Sequence, residues 1–302
     1  MTRAKLTILG SGTSQGVPMI GCDCHVCKSG DPRDKRLRTS ALVDMGGLRI
    51  LVDAGPDFRQ QMLRENVHHI DAILLTHNHK DHTGGLDDIR AFNFFERKDS
   101  HIYCEKYVLD SLKSEYPYAF GDRKYPGSPE WRVHLIENTD SLTVSTHRSD
   151  PTLEWRQGQG YVHVAPEGHV EEDSIEVVPV RVYHDKKRSY PILGYRFGQI
   201  VYLTDVAEFP DSEWGKLRGA EAITINCVKI GATHYSHFCL EEAVDFAKKA
   251  CDKAGIGRCY LTHLSHAMGT HEELAARVAG ENRSYDGHPL LITPAYDGLV
   301  IE

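Results

Sequence analysis

The chain has 302 residues, with 35 basic and 43 acidic side chains and a formal net charge of -8. This balance excludes broad electrostatic binding to nucleic acid, which needs a basic surface that displaces counterions. Hydrophobic residues make up 40 % of the chain but form no apolar run near the roughly 20 residues of a membrane helix, so the sequence predicts a globular protein without a membrane partner.

The order of the predicted elements is typical of an α/β protein with one domain over residues 1–302, because no internal repeat and no low-complexity linker interrupts it. Segments rich in β-branched and aliphatic residues predict strands at 5–10, 40–47, 48–55, 71–77, 101–105, 174–184, 199–205, 258–263 and 290–302. Amphipathic patterns predict helices at 56–66, 85–95, 106–116, 240–255 and 270–281.

The first motif along the chain is a cysteine knuckle in "MIGCDCHVCKSGD", where Cys22, Cys24 and Cys27 lie within six positions. Three thiols on one tight loop are typical of a structural zinc site, which needs a fourth ligand from elsewhere. His25 lies inside the knuckle, and we expect it to point away from the metal. No apolar leader follows Met1, so we expect reduced thiols and a cytoplasmic location.

The strongest signal is "LLTHNHKDHTGG", in which an apolar strand leads to His77, His79, Asp81 and His82. Three imidazoles and a carboxylate within six residues, on a loop beyond a strand end, are typical ligands of divalent transition metals. Four such groups together are difficult to explain as ordinary surface or core histidines. The stretch therefore predicts a metal site.

Three later strands also end on a ligand type: His184 follows "VVPVRVY", Asp205 follows "QIVYLT" and His263 follows "RCYLT". If these strands lie side by side, all the ligands meet at one edge of the fold. Five histidines and two aspartates are enough for two metal ions, with one carboxylate between them and positions left for water.

One stretch, from about residue 123 to 173, fits this rhythm poorly because it is rich in Gly, Pro and polar residues. We interpret it as an insertion. Long loops of this kind are either active-site lids or surface excursions, and the sequence leaves both alternatives open.

The order of these ligands resembles that of the metallo-β-lactamase superfamily, and the cysteine knuckle resembles its PhnP-like subgroup, the phosphoribosyl cyclic phosphate phosphodiesterases. The resemblance implies a four-layer αββα sandwich with the metals at one edge between two sheets. It also implies two divalent ions, Mn or Zn, and one structural zinc. The implied ligands are His77, His79 and His184 for one ion, Asp81, His82 and His263 for the other, and Asp205 as the bridge.

The resemblance implies roles for further residues as well. Asp53 would brace the metal loop from behind, and His266, in "YLTHLSHAMG", would complete a Cys3His zinc site with the knuckle. Asp81 and His237 would be the catalytic residues. His237 would lie on the substrate side, where it would contact a phosphate oxygen or protonate the leaving alkoxide. His234 is the weaker candidate for this role.

A basic turn, Lys186 to Arg188, directly follows His184. It either attracts a phosphate or is an ordinary solvated turn.

The function that the resemblance implies is a metal-dependent phosphodiesterase in which a hydroxide shared by two ions attacks phosphorus. Its substrate would be a small phosphorylated compound, such as phosphoribosyl 1,2-cyclic phosphate or a nucleotide-like diester, and a homodimer is compatible with it. The alternatives are a tRNA 3'-end endonuclease, a glyoxalase-type thioesterase and, without catalysis, a binding protein similar to PqqB. The net charge of -8 opposes the endonuclease, and the thioesterase leaves the cysteine knuckle unexplained.

Overall fold

The computed structural model of the chain describes residues 2–121, 124–125, 127–166, 168, 170–231, 233–285 and 288–302. Its strands are β1 (Ala4–Gly10), β2 (Ser40–Met45), β3 (Leu48–Val52), β4 (Ala72–Leu74), β5 (Ser100–Cys104), β6 (Trp131–Leu135), β7 (Leu142–Ser145), β8 (Thr152–Arg156), β9 (Gly160–Val164), β10 (Ser174–Tyr183), β11 (Pro191–Phe197), β12 (Ile200–Tyr202), β13 (Ala222–Asn226), β14 (Arg258–Thr262), β15 (Arg283–Tyr285), β16 (His288–Pro294) and β17 (Val300–Ile301).

The helices are α1 (Phe58–Arg64), α2 (Lys80–Thr83), α3 (Arg90–Glu96), α4 (Lys106–Glu115), α5 (Pro117–Phe120), α6 (Trp214–Leu217), α7 (Leu240–Ala254) and α8 (His271–Ala279). Helix α8 begins with a capping box, in which Thr270 and Glu273 bond to each other's backbone N–H groups, and α7 ends at Gly255 with a left-handed φ of 74°. In the described part of the chain, no helix is long and apolar enough to span a membrane.

The strands form two large sheets. The first has the order β17-β1-β2-β3-β4-β5-β6, the second the order β15-β16-β14-β13-β12-β11-β10-β7, and β8 and β9 form a separate hairpin. Strands β3 to β6 are parallel to one another, as are β12, β13, β14 and β16. Each large sheet therefore has a parallel part whose carboxyl ends share one edge, which is where ligand sites form in such sheets.

Three apolar layers hold the two sheets and the helices together. The central layer lies between the sheets and includes Leu6, Ile50, Tyr195 and Phe197. A second layer packs α1 and α4 on the outer face of the first sheet, and a third packs α7 and α8 on the outer face of the second. The predicted four-layer αββα sandwich is confirmed.

The stretch at 123–173 is more regular than its composition indicates. Strands β6 and β7 lie in it and extend the first and second sheets, so only the hairpin β8–β9 stands apart. The hairpin contacts the α3–β5 connection, where the Leu153 N–H donates to the carbonyl of Arg97 and His163 pairs with Asp99. Residues 122, 123, 126, 167 and 169 lie outside the described residues, and a lid function stays a prediction.

Two glycines let the metal loop pack directly on the turn after β3. A Cβ atom built on Gly55 would lie 2.0 Å from the backbone oxygen of Asp81, and one on Gly85 would lie 2.1 Å from the backbone oxygen of Gly55. Separations this short are forbidden to any side chain, so only glycine allows the backbone of α2 to lie here. The position of Asp81 and His82 depends on this contact.

We therefore expect Gly55→Ala to push α2 away from the β3 turn and to destabilise the fold by about 1–3 kcal/mol, the usual cost of overpacking. Gly280→Ala is the matched control, because a Cβ atom there meets nothing within 4 Å and its φ is -68°. Urea unfolding of both variants measures the difference. Equal stability of the two variants would show that the metal loop accommodates the methyl group.

Candidate metal centre

The candidate ligands stand just beyond strand ends at one edge of the sandwich. His77 follows β4, His184 follows β10, Asp205 follows β12 and His263 follows β14. Asp205 and His263 have left-handed backbone conformations, with φ of 57° and 54°, as does Asp53 after β3 with 62°. Non-glycine residues rarely adopt this region, so these turns are held by their surroundings, as is common at functional sites.

The structure brings all seven predicted ligands into two adjoining groups. One ring nitrogen of each of His77, His79 and His184 lies within 4.8 Å of the others, and the same holds for one side-chain atom of each residue in the second group, Asp81, His82, Asp205 and His263. The two groups adjoin at Asp205.

Asp205 faces both groups with different oxygens. Its Oδ2 lies 3.2 Å from His82 Nε2, and its Oδ1 lies 3.2 Å from His263 Nε2 and 3.8 Å from His184 Nε2. Burial alone would raise the pKa of this carboxyl, but His263 and His82 outweigh burial and hold the pKa well below its usual range. The carboxylate is therefore ionised in the position of a bridge.

Hydrogen bonds behind the site fix which ring nitrogens face it. His82 Nδ1 lies 2.7 Å from Asp53 Oδ2, so Nε2 is the nitrogen that faces Asp205 and that would bind an ion. Burial opposes a charge on this ring, but Asp205, Asp53 and Asp81 outweigh burial and hold the pKa of His82 well above its usual range, so an ion would have to displace the Nε2 proton. The backbone N–H and the hydroxyl of Thr76 also donate to Asp53, at 2.8 Å each, and that hydroxyl lies 2.9 Å from His77 Nδ1. Such partners orient metal-binding histidines and raise their affinity for the ion.

His184 follows the same rule with a backbone partner. Its Nδ1 lies 2.9 Å from the carbonyl oxygen of Ser236 and donates to it, which leaves Nε2 directed at His79 Nδ1, 3.2 Å away. Two lone pairs this close repel each other unless a proton or a cation lies between them.

The residues fit a pair of metal ions by their chemistry and by an unsatisfied atom. His77 Nε2 is buried and has no hydrogen-bond partner among the described residues. Buried polar atoms normally have a hydrogen-bond partner. A buried nitrogen without one, which faces other nitrogens and carboxylates, fits a metal ligand. Imidazole and carboxylate together suit Zn²⁺ and Mn²⁺.

The cysteine knuckle forms a second cluster with His266. The Sγ atoms of Cys22, Cys24 and Cys27 lie 3.2, 3.5 and 3.7 Å from His266 Nδ1. A tetrahedral zinc ion with ordinary Zn–S and Zn–N bonds separates sulfur and nitrogen by about 3.5 Å. His25 lies outside this cluster and pairs with Glu273 at 3.2 Å.

The thiols of the knuckle differ in acidity. The backbone N–H of Cys27 and, after it, His266 lower the pKa of Cys24 to about 6, whereas burial raises the pKa of Cys27 to about 11. Zinc binds thiolates, so Cys24 offers one at neutral pH while Cys27 must lose its proton as the ion enters. The four residues fit a structural zinc.

A buried ion pair holds the loop that carries both His263 and the zinc-ligand candidate His266. Arg36 is 1 % exposed; it pairs with Asp34 at 3.2 Å and donates to the carbonyl oxygens of Ser265 and Gly269. Both carbonyls flank His266, three residues after His263. The two clusters therefore share one loop and one anchor.

His237 lies beside the ligands and forms a further group with His184 and Asp205, in which one ligand atom of each residue lies within 4.8 Å of the others. Its Nδ1 is 3.6 Å from Asp205 Oδ1, and its ring is 4.7 Å from that of His263. Burial, followed by His263, lowers the pKa of His237 to about 2, so the ring is neutral. A neutral imidazole here can donate one hydrogen bond to a substrate oxygen or bind an ion, but it is a poor proton donor to a leaving group.

A cleft of about 260 Å³ opens beside His237. One wall is formed by residues 13–16 with Ser265 and His266, and the other is formed by Val228, His234 and His237. His234, the weaker candidate from sequence, therefore lies in the same cleft, with its ring 5.1 Å from that of His237.

The basic turn after His184 is engaged with acidic residues. Lys186 pairs with Glu242, and Arg188 pairs with Glu208 at 2.6 Å. This arrangement favours an ordinary solvated turn over a phosphate site.

The sequence contained one signal that we did not interpret. Three of the strands read Leu-Thr before their ligand, in "LLTH", "YLTD" and "YLTH". The hydroxyl of Thr76 bonds to Asp53, and that of Thr204 bonds to Asp205 Oδ2 at 2.7 Å. In these two strands the buried threonine hydroxyl bonds to the polar group that follows it, whereas the hydroxyl of Thr262 has no partner among the described residues.

Comparison with protein families and relatives gives the following matches. A family model described as a β-lactamase superfamily domain matches residues 48–264. The chain is 36 % identical over 290 residues to a Porphyromonas gingivalis protein named octanoyltransferase, a match that covers 95 % of this chain and 51 % of that protein. It is 40 % identical over 121 residues to the coenzyme PQQ synthesis protein B of Methylorubrum populi, which covers 35 % of this chain and 39 % of that protein. The chain thus spans about half or less of these curated relatives.

Solved structures match over the whole chain. A crystal structure described as a new diphosphatase from the PhnP family is 33 % identical, with a TM-score of 0.75, and the match covers 99 % of this chain and 98 % of that one. The Zn²⁺-bound PqqB of Methylobacterium extorquens, 20 % identical with a TM-score of 0.64, and the short form of human tRNase Z, 17 % identical with a TM-score of 0.60, share the fold.

We expect Asp53→Asn to lower the affinity for metal by about 10- to 100-fold, the usual effect of removing such a carboxylate partner. The Thr76 N–H donates to Oδ1 of Asp53, so the amide oxygen would stay there and the NH2 would face His82. The NH2 cannot accept from His82 Nδ1, so the ring would keep its proton on Nε2, the nitrogen that would bind an ion. Asp44→Asn is the control, because Asp44 pairs with Arg49 on the surface. Chelator competition measures both affinities, and equal values would mean that Asp53 does not set the orientation of His82.

Proposed function

The chain belongs to the β-lactamase superfamily and, within it, to the PhnP family, and from this premise we propose that it is a metal-dependent phosphodiesterase acting on a small phosphoric diester. The observation that carries the proposal is the ionised, buried Asp205 between two groups of histidines. A phosphoribosyl cyclic phosphate or a nucleotide-like diester is the substrate class that we infer.

Two ions held by the seven ligands would supply Lewis acidity to the phosphoryl oxygens and lower the pKa of a water molecule to about 7. The chain's own residues set the rest of the chemistry. Asp53, Thr76 and Ser236 bond to the far nitrogens of the ligand histidines and would keep the other nitrogens available for the ions, and Asp205 and Asp81 would supply negative charge. His237 donates a hydrogen bond to a phosphoryl oxygen as a neutral imidazole.

The cleft supports a small and partly uncharged substrate. The side chains of Thr13, Ser14, Gln15 and Ser265 offer hydroxyl and amide groups, and the described residues that line the cleft include no lysine or arginine. The phosphate would therefore be bound at the ions, while the cleft walls would bond to a hydroxylated group such as a sugar. A volume of about 260 Å³ suits a compound of this size better than a folded RNA.

Two alternative substrate classes should be assayed beside the diesters. The first is a 3'-extended tRNA, because a tRNase Z shares the fold. The second is an octanoyl thioester, because one relative is named octanoyltransferase, although this chain spans about half of that protein. Assays on thioesters also test the glyoxalase-type alternative. The absence of turnover on every substrate would favour a binding role similar to that of PqqB.

We expect the protein loaded with Mn²⁺ or Zn²⁺ to hydrolyse a five-membered cyclic ribose phosphate with a higher kcat/KM than bis(p-nitrophenyl) phosphate, because only the former has hydroxyls for the cleft. Initial rates on both diesters, a 3'-extended tRNA and S-octanoyl and S-lactoyl thioesters decide the class. Asp205→Asn is the matched control, since it keeps the shape of the side chain but removes its charge, and we expect no measurable turnover. Faster turnover of a thioester or of the tRNA than of any diester refutes the proposal.

We expect His237→Ala to retain the metal content and to lower kcat/KM about 10- to 100-fold, the effect of losing one hydrogen bond to a charged group. Because the ring is neutral, the loss should be equal for an alkyl diester and a p-nitrophenyl diester. His25→Ala serves as the control, an exposed histidine outside the cleft. A much larger loss with the alkyl diester would identify a general acid, and the loss of one ion would identify a ligand.

A further inference from the structure

A third group of histidines lies away from the candidate metal centre. His101 is the second residue of β5, His134 lies in β6, and His147 follows β7. One ring nitrogen of each lies within 4.8 Å of the others. The ligands of the candidate centre lie beyond the carboxyl end of β4, whereas His101 and His134 lie within β5 and the edge strand β6, where His101 is opposite Arg132 and His134 is opposite Tyr103.

The three residues come from both sheets. Strands β5 and β6 are neighbours in the first sheet, and β7 is the edge strand of the second. Tyr103 and Val144, which lie close to these histidines in sequence, belong to the apolar layer between the sheets. The histidine group therefore lies between the edge strands of the two sheets, β6 and β7, at one side of the sandwich.

His101 is buried between a carboxylate and a second histidine. Its ring is 4 % exposed, and its Nε2 lies 3.0 Å from Asp150 Oδ2 without the geometry of a hydrogen bond. Its other nitrogen, Nδ1, lies 2.9 Å from His134 Nε2. Two imidazole nitrogens therefore face each other at a distance that one bound cation could span.

Charges of both signs surround the group: Asp150 is the anion beside His101, while Arg132 and Lys98 are cations that, after burial and the neighbouring histidines, lower the pKa of His101. Asp150 is held by Arg132 at 2.7 Å, and Arg132 also contacts Asp99 at 3.3 Å. Burial, then His147 and His134, lower the pKa of His101 to about 2, so this ring is in the neutral form that binds metals.

We propose that His101, His134 and His147 form an additional transition-metal site, of the kind that takes Zn²⁺ or Ni²⁺, and that the ion links the two sheets at their closed side. Three imidazoles at this separation suit these ions, and water would complete the coordination.

Binding requires a change at His147. Its ring lies parallel to that of His101, with centroids 3.5 Å apart and planes 3° apart, and its Nε2 is 2.8 Å from the hydroxyl of Tyr103. Two rings stacked in this way cannot both hold one ion in their planes. The His147 ring must therefore turn out of the stack when the ion binds, which it can do because it is only half-buried. The competing explanation is a stack of neutral histidines that holds no ion.

Zinc content separates these explanations. We expect the double variant His134→Gln and His147→Gln to bind one zinc ion fewer per chain than the wild type, after equilibrium dialysis and mass-spectrometric metal analysis. The control is His163→Gln, a nearby exposed histidine paired with Asp99, which should keep the full content. Equal zinc content in the wild type and the double variant would overturn the proposal.

A second measurement uses the wild type and does not depend on the variants being folded. Diethyl pyrocarbonate modification, read peptide by peptide, should slow at His134 and His147 at least severalfold when Zn²⁺ is added, and should not change at His163. Equal rates with and without zinc at all three residues would leave a stack of neutral histidines as the explanation.

Discussion

The buried carboxylate of Asp205 is the constraint on which the rest of the site depends. Burying a charge in a protein is costly unless it is paired and hydrogen-bonded. Asp205 is 2 % exposed, and it is surrounded by imidazoles from four different segments of the chain. Those segments meet only because the parallel strands of two sheets end at the same edge. The sandwich architecture and the electrostatics of the site are thus two aspects of one arrangement.

The candidate ligands are oriented by hydrogen bonds to residues outside the site, and not by packing alone. Asp53, itself buried, accepts three hydrogen bonds from Thr76 and His82, and through Thr76 it also fixes His77. On the other side, the knuckle and Arg36 fix the loop that carries His263. A site assembled from residues far apart in sequence needs such supports, because small errors in each strand would otherwise add up at the ions.

The sequence predicted which side chains come together at the candidate centre, because the pattern is local: polar side chains of ligand type directly after apolar strands. Their binding of metal stays a prediction. It predicted the sandwich through the family resemblance. It did not predict β11, because Pro191 and Gly194 resemble turn residues. Gly194 is required there, since a Cβ atom would lie 2.2 Å from Leu203 Cδ2. The group of His101, His134 and His147 has no fixed spacing and becomes visible only when the two sheets are assembled.

The two walls of the cleft are anchored to different parts of the fold. The wall that carries residues 13–16 is bonded to the ligand loop through the Thr13 N–H and the Leu264 carbonyl. The opposite wall, with His234, belongs to the connection between β13 and α7, and Cys239 and Leu240 end that connection on a stable helix. Substitutions in this second wall can change the shape of the cleft while the knuckle and most of the ligand supports stay intact. Divergence of substrate range among relatives should therefore concentrate between β13 and α7, which makes this segment the natural place to redesign selectivity.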